Sequence, residues 1–310
     1  MPKKHSPKPK SSSKKPKHRS STASAQRVGA VQVSLGDPVS LAIQREAALA
    51  AEHLATGVSA LSNANYASPG CYSQAFFALT IGMERASKLA LIVHHAIMNC
   101  GAFPSEKAIR QYGHNLRHIL DEVDRLASTL ASDADNIRLP REPIHAHIID
   151  ILSAFAKNVT RYYNVDVITK GKHSVRAGDP IADWYERVIL GVFKDHVSKQ
   201  RKAKIRENAE MVHAMTSGTV CVLMTSESGR EIDSVFEASY RTGIQDAAAP
   251  YTRMYVLQVC RFLARVLSHL GYEAQRRGLA TIPCLADFFV IFNNDDKYFR
   301  TRKRWSIYRL

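Results

Sequence analysis

The stretch from Cys71 to about Cys100 constrains this chain more than any other. Wound as a helix, it places Phe76, Phe77, Leu79, Ile81, Met83, Leu89, Leu91, Ile92, Val93, Ile97 and Met98 almost all the way round the axis. A helix that is apolar on nearly every side has little face to offer water and belongs at the centre of a bundle. Its charged residues Glu84, Arg85 and Lys88 form one short patch, with Glu84 and Lys88 at i,i+4 spacing. No run in the chain reaches about 18 uninterrupted apolar residues, so a membrane span is not expected.

A central helix needs partners, and the flanking sequence supplies them. Asp37-Pro38 reads as a helix cap with proline in the first turn, followed by an alanine-rich stretch carrying Leu41, Ile43, Leu49, Leu54, Val58 and Leu61. Asn63, Asn65, Ser68, Pro69 and Gly70 break it. Beyond Gly101 and Pro104, a stripe of Leu116, Ile119, Leu120, Val123, Leu126 and Leu130 predicts a third helix over 114–130. Pro140 and Pro143 precede a fourth, with Ile144, Ile148, Ile151, Leu152, Phe155 and Val159, ending near Tyr163. Gly171 and Gly178 flank a polar loop, and Asp179-Pro180 opens a fifth helix through Trp184, Val188 and Phe193.

The last hundred residues are less regular. Val256, Val259, Cys260, Leu263, Val266, Leu267 and Leu270 form a helical stripe closed by Gly271. Thr219–Thr225 fits either a short strand or a buried helix segment, and Phe288–Phe292, Asn293–Asp296 and the aromatic-basic end read as a hairpin. The expected fold class is therefore all-α. It comprises a basic tail at 1–36, an antiparallel helical bundle at 37–195, and a helical C-terminal extension at 196–310 with a short terminal β-hairpin.

Charge points to the class of partner. The chain carries 43 Lys and Arg against 28 Asp and Glu, a formal +15. Its first 20 residues hold seven lysines, among them Lys14, Lys15 and Lys17, together with Arg19 and no acid. Prolines and serines alternate with these charges, a composition that forms no core. Such a tail gains affinity for polyanions by releasing counterions, without reading sequence. It is equally compatible with a solubilising extension, and Lys14-Lys15-Pro16-Lys17-His18-Arg19 also has the composition of a nuclear-import signal. Setting those eight cations aside leaves 35 against 28 acids.

Two further basic clusters stand out. One contains Lys194, Lys199, Arg201, Lys202, Lys204 and Arg206; the other contains Lys297, Arg300, Arg302, Lys303, Arg304 and Arg309 among Tyr298, Phe299, Trp305 and Tyr308. Cations mixed with aromatic rings suit single-stranded nucleic acid, and they equally suit a terminal strand with one buried aromatic face. The tail lacks the apolar segment of a signal peptide. Five scattered cysteines without a CxxC pair argue for a reducing, cytoplasmic setting rather than a disulfide framework or zinc ribbon.

Motif chemistry narrows the field further. GxGxxG, GxxxxGK[ST] and GxSxG are all absent. His114 and His118 share a helical face, but neither an HExxH glutamate nor a third ligand follows, so no metal and no cofactor is expected. Arg161-Tyr162-Tyr163-Asn164-Val165-Asp166 is the most informative polar segment. Arg161, Asn164 and Asp166 form a candidate catalytic cluster able to bind a phosphate and move a proton, or else a helix end closed by a buried ion pair.

The run Phe76-Phe77-Ala78-Leu79-Thr80-Ile81-Gly82-Met83-Glu84-Arg85-Ala86-Ser87-Lys88-Leu89, followed by Tyr112-Gly113-His114-Asn115-Leu116, resembles HEPN-type helical bundles over about residues 40–195. The resemblance implies an antiparallel bundle, often a homodimer, with Glu84, Lys88 and His114 at matching positions. It also implies RNA cleavage, toxin–antitoxin or phage-defence roles, or non-catalytic RNA or nucleotide binding. Catalytic members carry Arg, four to six residues, then His. Arg138 with His145, Arg141 with His147 and Arg206 with His213 fit, about the roughly three pairs that chance provides. Arg141 and His147 come nearest by position, although Pro143 lies between them. The resulting expectation is an RNA-binding protein, with a non-catalytic interaction or oligomerisation module as the alternative.

Overall fold

The computed structural model describes residues 36–130, 137–171, 178–216 and 219–306, and 72% of them are helical. The first helix, α1 (Pro38–Leu61), starts where the Asp37 side chain accepts the Val39 N–H at 3.1 Å with Pro38 in the first turn. A short connection reverses the chain into α2 (Pro69–Met98). The two helices run antiparallel, because Gly57 of α1 meets Leu79 and Leu54 meets Gly82. A Cβ on Gly57 would lie 2.9 Å from the Leu79 backbone nitrogen, and one on Gly82 would lie 2.8 Å from that of Leu54. Buried Ala47, Ala50, Ala51 and Ala55 extend this close approach along α1.

The bundle is then built round α2. Ser105 caps the single turn α3 (Glu106–Arg110), and α4 (Leu116–Leu130) buries Leu116, Ile119, Leu120, Val123 and Leu126. There follow α5 (Pro143–Ala156), α6 (Tyr163–Thr169) and α7 (Pro180–Trp184). One π-helical turn, Tyr185–Ile189, leads into α8 (Leu190–His196), and α9 (Lys199–Thr216) comes next. The two-residue strands β1 (Met224–Thr225) and β2 (Glu231–Ile232) pair antiparallel, Met224 opposite Ile232.

The longest element is α10 (Val235–Arg276), 42 residues with Pro250 inside and the Ser234 hydroxyl capping Glu237 N–H. At 1.5 Å per residue it spans about 63 Å, and it packs against α1, α2, α4, α5, α8 and α9. A core of Val256, Leu257, Val259, Cys260, Leu263, Ala264, Leu267 and Leu270 is buried along it. Two short helices, α11 (Ala286–Phe289) and α12 (Asp296–Thr301), close the described chain. One buried core runs through the described residues from Ile43 to Trp305, so those of 196–310 share it with those of 37–195. Among the described residues no helix is long and apolar enough to cross a membrane.

Among the described residues the expected terminal hairpin does not form. Phe288–Phe292 forms the end of α11 and a 3₁₀ turn, and Asp295 caps α12 by accepting Tyr298 N–H at 2.7 Å. The Asn-Asn-Asp-Asp run thus acts as a helix start rather than a strand turn. The strands that do form lie earlier, and their approach is exposed, with Leu223 facing solvent.

Hydrogen bonds fix the C-terminal segment to the bundle. Buried Arg253 of α10 donates to the carbonyls of Phe299 at 3.1 Å and Arg300 at 2.6 Å and to the Ser62 hydroxyl at 3.2 Å. Trp305 N–H donates to the Ser59 hydroxyl at 2.9 Å, and that hydroxyl donates to the Trp305 carbonyl at 3.1 Å.

The α1–α2 contact yields a direct test. Gly82→Ala puts a methyl group against the Leu54 backbone, which cannot move aside as a side-chain end can. Urea denaturation should register a loss of about 1–3 kcal/mol, the range for overpacking. Gly70→Ala, with open space around its Cβ position, should change stability far less.

Candidate functional site

Six residues of α2 recur at helical spacing: Phe77, Thr80, Ile81, Glu84, Arg85 and Lys88. Positions i, i+3, i+4, i+7, i+8 and i+11 share one face of a helix, and here they form one wall of a cleft of about 540 Å³. Glu46 of α1, His114 ahead of α4, and Ala156, Asn158 and Arg161 around the end of α5 supply the rest.

Local backbone rules bring these residues in. Gly113 has φ +57° in the turn before His114, a left-handed conformation glycine adopts without steric cost. After α5, Asn158 has φ +60°. Its N–H donates to Phe155 O at 3.1 Å while Val159 N–H donates to Ala154 O at 3.0 Å. This is a Schellman closure with asparagine in the left-handed position, and it turns the chain so that Arg161 comes back over α2. The Arg161 guanidinium lies 4.7 Å from the Phe77 ring centroid and 5.3 Å from that of Phe155.

The charges in the cleft are paired unequally. Arg85 Nη1 donates to Glu46 Oε2 at 2.6 Å and Lys88 Nζ to Glu84 Oε1 at 2.7 Å. His114 Nδ1 stands 3.0 Å from the same Glu84 oxygen and 3.2 Å from the other. Among the described residues no carboxylate pairs with Arg161, and its Nε is buried without a hydrogen-bond partner. With His114 neutral, three cations face two carboxylates. An ionised Glu84 accepts only, so a neutral His114 carries its proton on Nδ1 and leaves Nε2 as the basic nitrogen. The arrangement can bind an anion and hold a proton acceptor beside it.

The resemblance-derived residues Glu84, Lys88 and His114 therefore meet in one place, and Arg161 joins them. Asn164 lines a neighbouring cavity and is exposed on α6. Asp166 lies on α6 outside the cleft, and its carbonyl accepts Gly171 N–H at 2.7 Å. Arg141 and Arg138 both serve Asp124: Arg141 Nη2 reaches Oδ2 at 2.7 Å, and Arg138 donates a fork at 3.0 and 2.9 Å. His147 Nδ1 sits 3.2 Å from the Arg187 carbonyl, and His145 is buried with Nε2 2.7 Å from Gln258 Oε1. Arg206 pairs with Glu210 at 3.0 Å while His213 is exposed on the same helix. None of these arginines or histidines lines the cleft.

The basic clusters also sort by environment. Arg201 and Lys204 are exposed on α9, whereas Lys202 donates to the Lys194 carbonyl at 2.8 Å over the Phe193 ring. Lys303 and Arg304 are exposed. Arg302 donates to the Tyr298 hydroxyl and lies 5.3 Å from the Trp305 ring centroid. Phe299 and Trp305 are buried, so their rings belong to the core and are closed to stacking bases. Lys14, Lys15 and Lys17 fall outside the described residues. Among the described residues no three His, Cys, Asp or Glu side chains cluster to hold a metal ion. Glu46 and Asn158 line the cleft without a motif or spacing in the sequence that marks them. The α2 stripe was visible in its spacing, but nothing in the chain marked which distant loop would face it.

Asp124 provides a pH test of the neighbouring scaffold. Burial pushes its carboxyl up, but hydrogen bonds from Arg138, Leu139 N–H and Arg141 outweigh that and bring it down to about 2. A depressed carboxylate contributes stability that is complete above its unfolded value and lost as pH falls through its folded one. Urea denaturation between about pH 5 and pH 2 should therefore show the parent protein losing about 2 kcal/mol that Asp124→Asn does not lose over that interval. Equal slopes for both proteins would remove Asp124 as the source. No protein-family model, curated protein or solved structure matches this chain.

Proposed function

We propose that the protein binds RNA and seats a backbone phosphate in the cleft between α2 and the α5–α6 connection. The observation that carries this reading is Arg161, whose guanidinium is supported by two aromatic rings and is free of any carboxylate among the described residues. A planar guanidinium beside an ammonium group matches the several acceptor oxygens of a phosphate. Arg85 and Lys88 stand on the facing wall, each already oriented by a glutamate. Exposed Arg201, Lys204, Lys303 and Arg304 add sequence-independent contacts along a polyanion. The likeness of the α2 run and its Gly-His continuation to HEPN bundles supports the same partner.

The Glu84–His114 contact favours a second step at this site, cleavage of the bound strand. His114 Nε2 takes the proton from a ribose 2′-hydroxyl as its oxygen bonds to the adjacent phosphorus. The bond from phosphorus to O5′ breaks, and O5′ takes up a proton from water as it leaves. The products are a 2′,3′-cyclic phosphate and a 5′-hydroxyl. Arg161 and Lys88 offset the charge that builds on the phosphorane oxygens.

Fluorescence anisotropy of a labelled single-stranded RNA, titrated at several salt concentrations, tests the binding. Affinity should fall linearly on a log–log plot against salt, and Arg161→Gln or Lys88→Ala should weaken binding and reduce that slope by about one phosphate contact each. A flat salt response, or variants that bind like the parent, would count against RNA and for a protein-interaction module. His114→Ala should keep the affinity while abolishing 2′,3′-cyclic phosphate ends in an end-group assay.

A further inference from the structure

We infer that a pocket adjoining the cleft is a nucleobase subsite, which takes one unpaired base of the strand whose phosphate the cleft holds. The inference rests on the RNA-binding reading and adds where the base goes and what recognises it. The pocket encloses about 190 Å³. That is below the ~300–1,000 Å³ of pockets that enclose a drug-sized ligand, so it suits a single ring system. Arg161 lines both the pocket and the cleft, so one nucleotide reaching from phosphate to base would pass along its guanidinium.

The lining matches the two kinds of surface a base presents. Phe76 and Phe155 wall the pocket as enclosed core rings, centroids 5.6 Å apart and planes at 71°, so the free aromatic face must come from elsewhere. Tyr162 lines the pocket while remaining 56% exposed, which leaves an aromatic ring available to stack on a base. Polar capacity is also unspent. Thr160 is only 3% exposed, yet its hydroxyl has no hydrogen-bond partner. A buried hydroxyl left unpaired is costly, so a ligand that pairs with it gains more than its contact area alone provides. Exposed Asn164 adds an amide that can both donate and accept. Asp179 is already engaged, accepting Ile181 N–H at 2.8 Å at the start of α7. An apolar ligand would leave the Thr160 hydroxyl unpaired, and a lone phosphate would gain nothing from the Tyr162 ring. A base, with a π face and a hydrogen-bonding edge, uses both.

The test compares two short single-stranded RNAs of equal length and charge, one complete and one abasic, by anisotropy at a fixed salt concentration. The complete strand should bind at least about fivefold more tightly, the lower end of what one stacked base contributes. Tyr162→Ala, at an exposed position, and Asn164→Ala should erase most of that preference while leaving the abasic strand's affinity unchanged. Thr160→Val keeps the shape of the side chain and should lower the preference alone. Equal affinities for the two strands, with Lys88→Ala still weakening both, would overturn the base subsite and leave the phosphate reading standing. Tyr162→Ala and Asn164→Ala proteins that keep the full preference would overturn it too. Absence of salt-dependent binding by either strand would overturn both readings together.

Discussion

Burial of α2 on all sides but one is the constraint from which the rest of this structure follows. The helix is flanked by α1, α4, α5 and α10, and its Phe76, Leu79, Met83, Ala86, Leu89 and Val93 are fully or almost fully enclosed. Charged side chains cannot be carried into such surroundings without large desolvation penalties. Glu84, Arg85 and Lys88 therefore fall on the one remaining stripe, and that stripe must stay open to water. A cleft that mixes charged groups with the exposed Phe77 and Ile81 is the consequence, and the neighbours' ends decide what stands across it.

Close backbone approach makes the arrangement possible. Gly57 and Gly82 let α1 and α2 meet with almost no side-chain layer between them, which brings Glu46 within reach of Arg85. Gly243 on α10 leaves room for the Ile205 side chain of α9, which a Cβ there would meet. Arg253 then ties the last helix to α10 and to the end of α1 through two carbonyls and a hydroxyl. Such hydrogen bonds are net stabilising by about 1.5–3 kcal/mol each when one partner is charged, and they hold a segment whose own helices are too short to persist alone.

The legible and illegible parts of the chain divide on physical grounds. Helix starts at Asp37-Pro38 and Asp179-Pro180 are visible in sequence because a cap and a first-turn proline act locally. The α2 stripe is visible because its period is that of the helix. The 42-residue extent of α10 is not, since Pro250 and the polar residues before it hide a helix that tertiary packing sustains. The terminal aromatics were ambiguous for a related reason. Phe292, Phe299 and Trp305 fit a strand face or a helical cluster equally well until Asp295 caps α12 and Trp305 stacks over Phe292 at 6.2 Å. At the site, Arg161, Asn164 and Asp166 look like one cluster in the chain. The turn into α6 separates them only in part: Arg161 lines both the cleft and the neighbouring pocket, Asn164 lines the pocket with it, and Asp166 lies outside both.

By itself the sequence determined that this protein is helical, that one helix must lie at its centre, and that cations outnumber acids. Those properties follow from periodicity, local caps and composition, none of which needs distant contacts. Only the tertiary structure decided which polar groups meet. His114 reaches Glu84 from 30 residues away and Arg161 crosses α2 from a separate turn. The physical reason is that both meetings depend on left-handed turns at Gly113 and Asn158 and on the angle at which α5 leaves the bundle. That geometry is set by packing among elements far apart in the chain and is encoded at no single position in it.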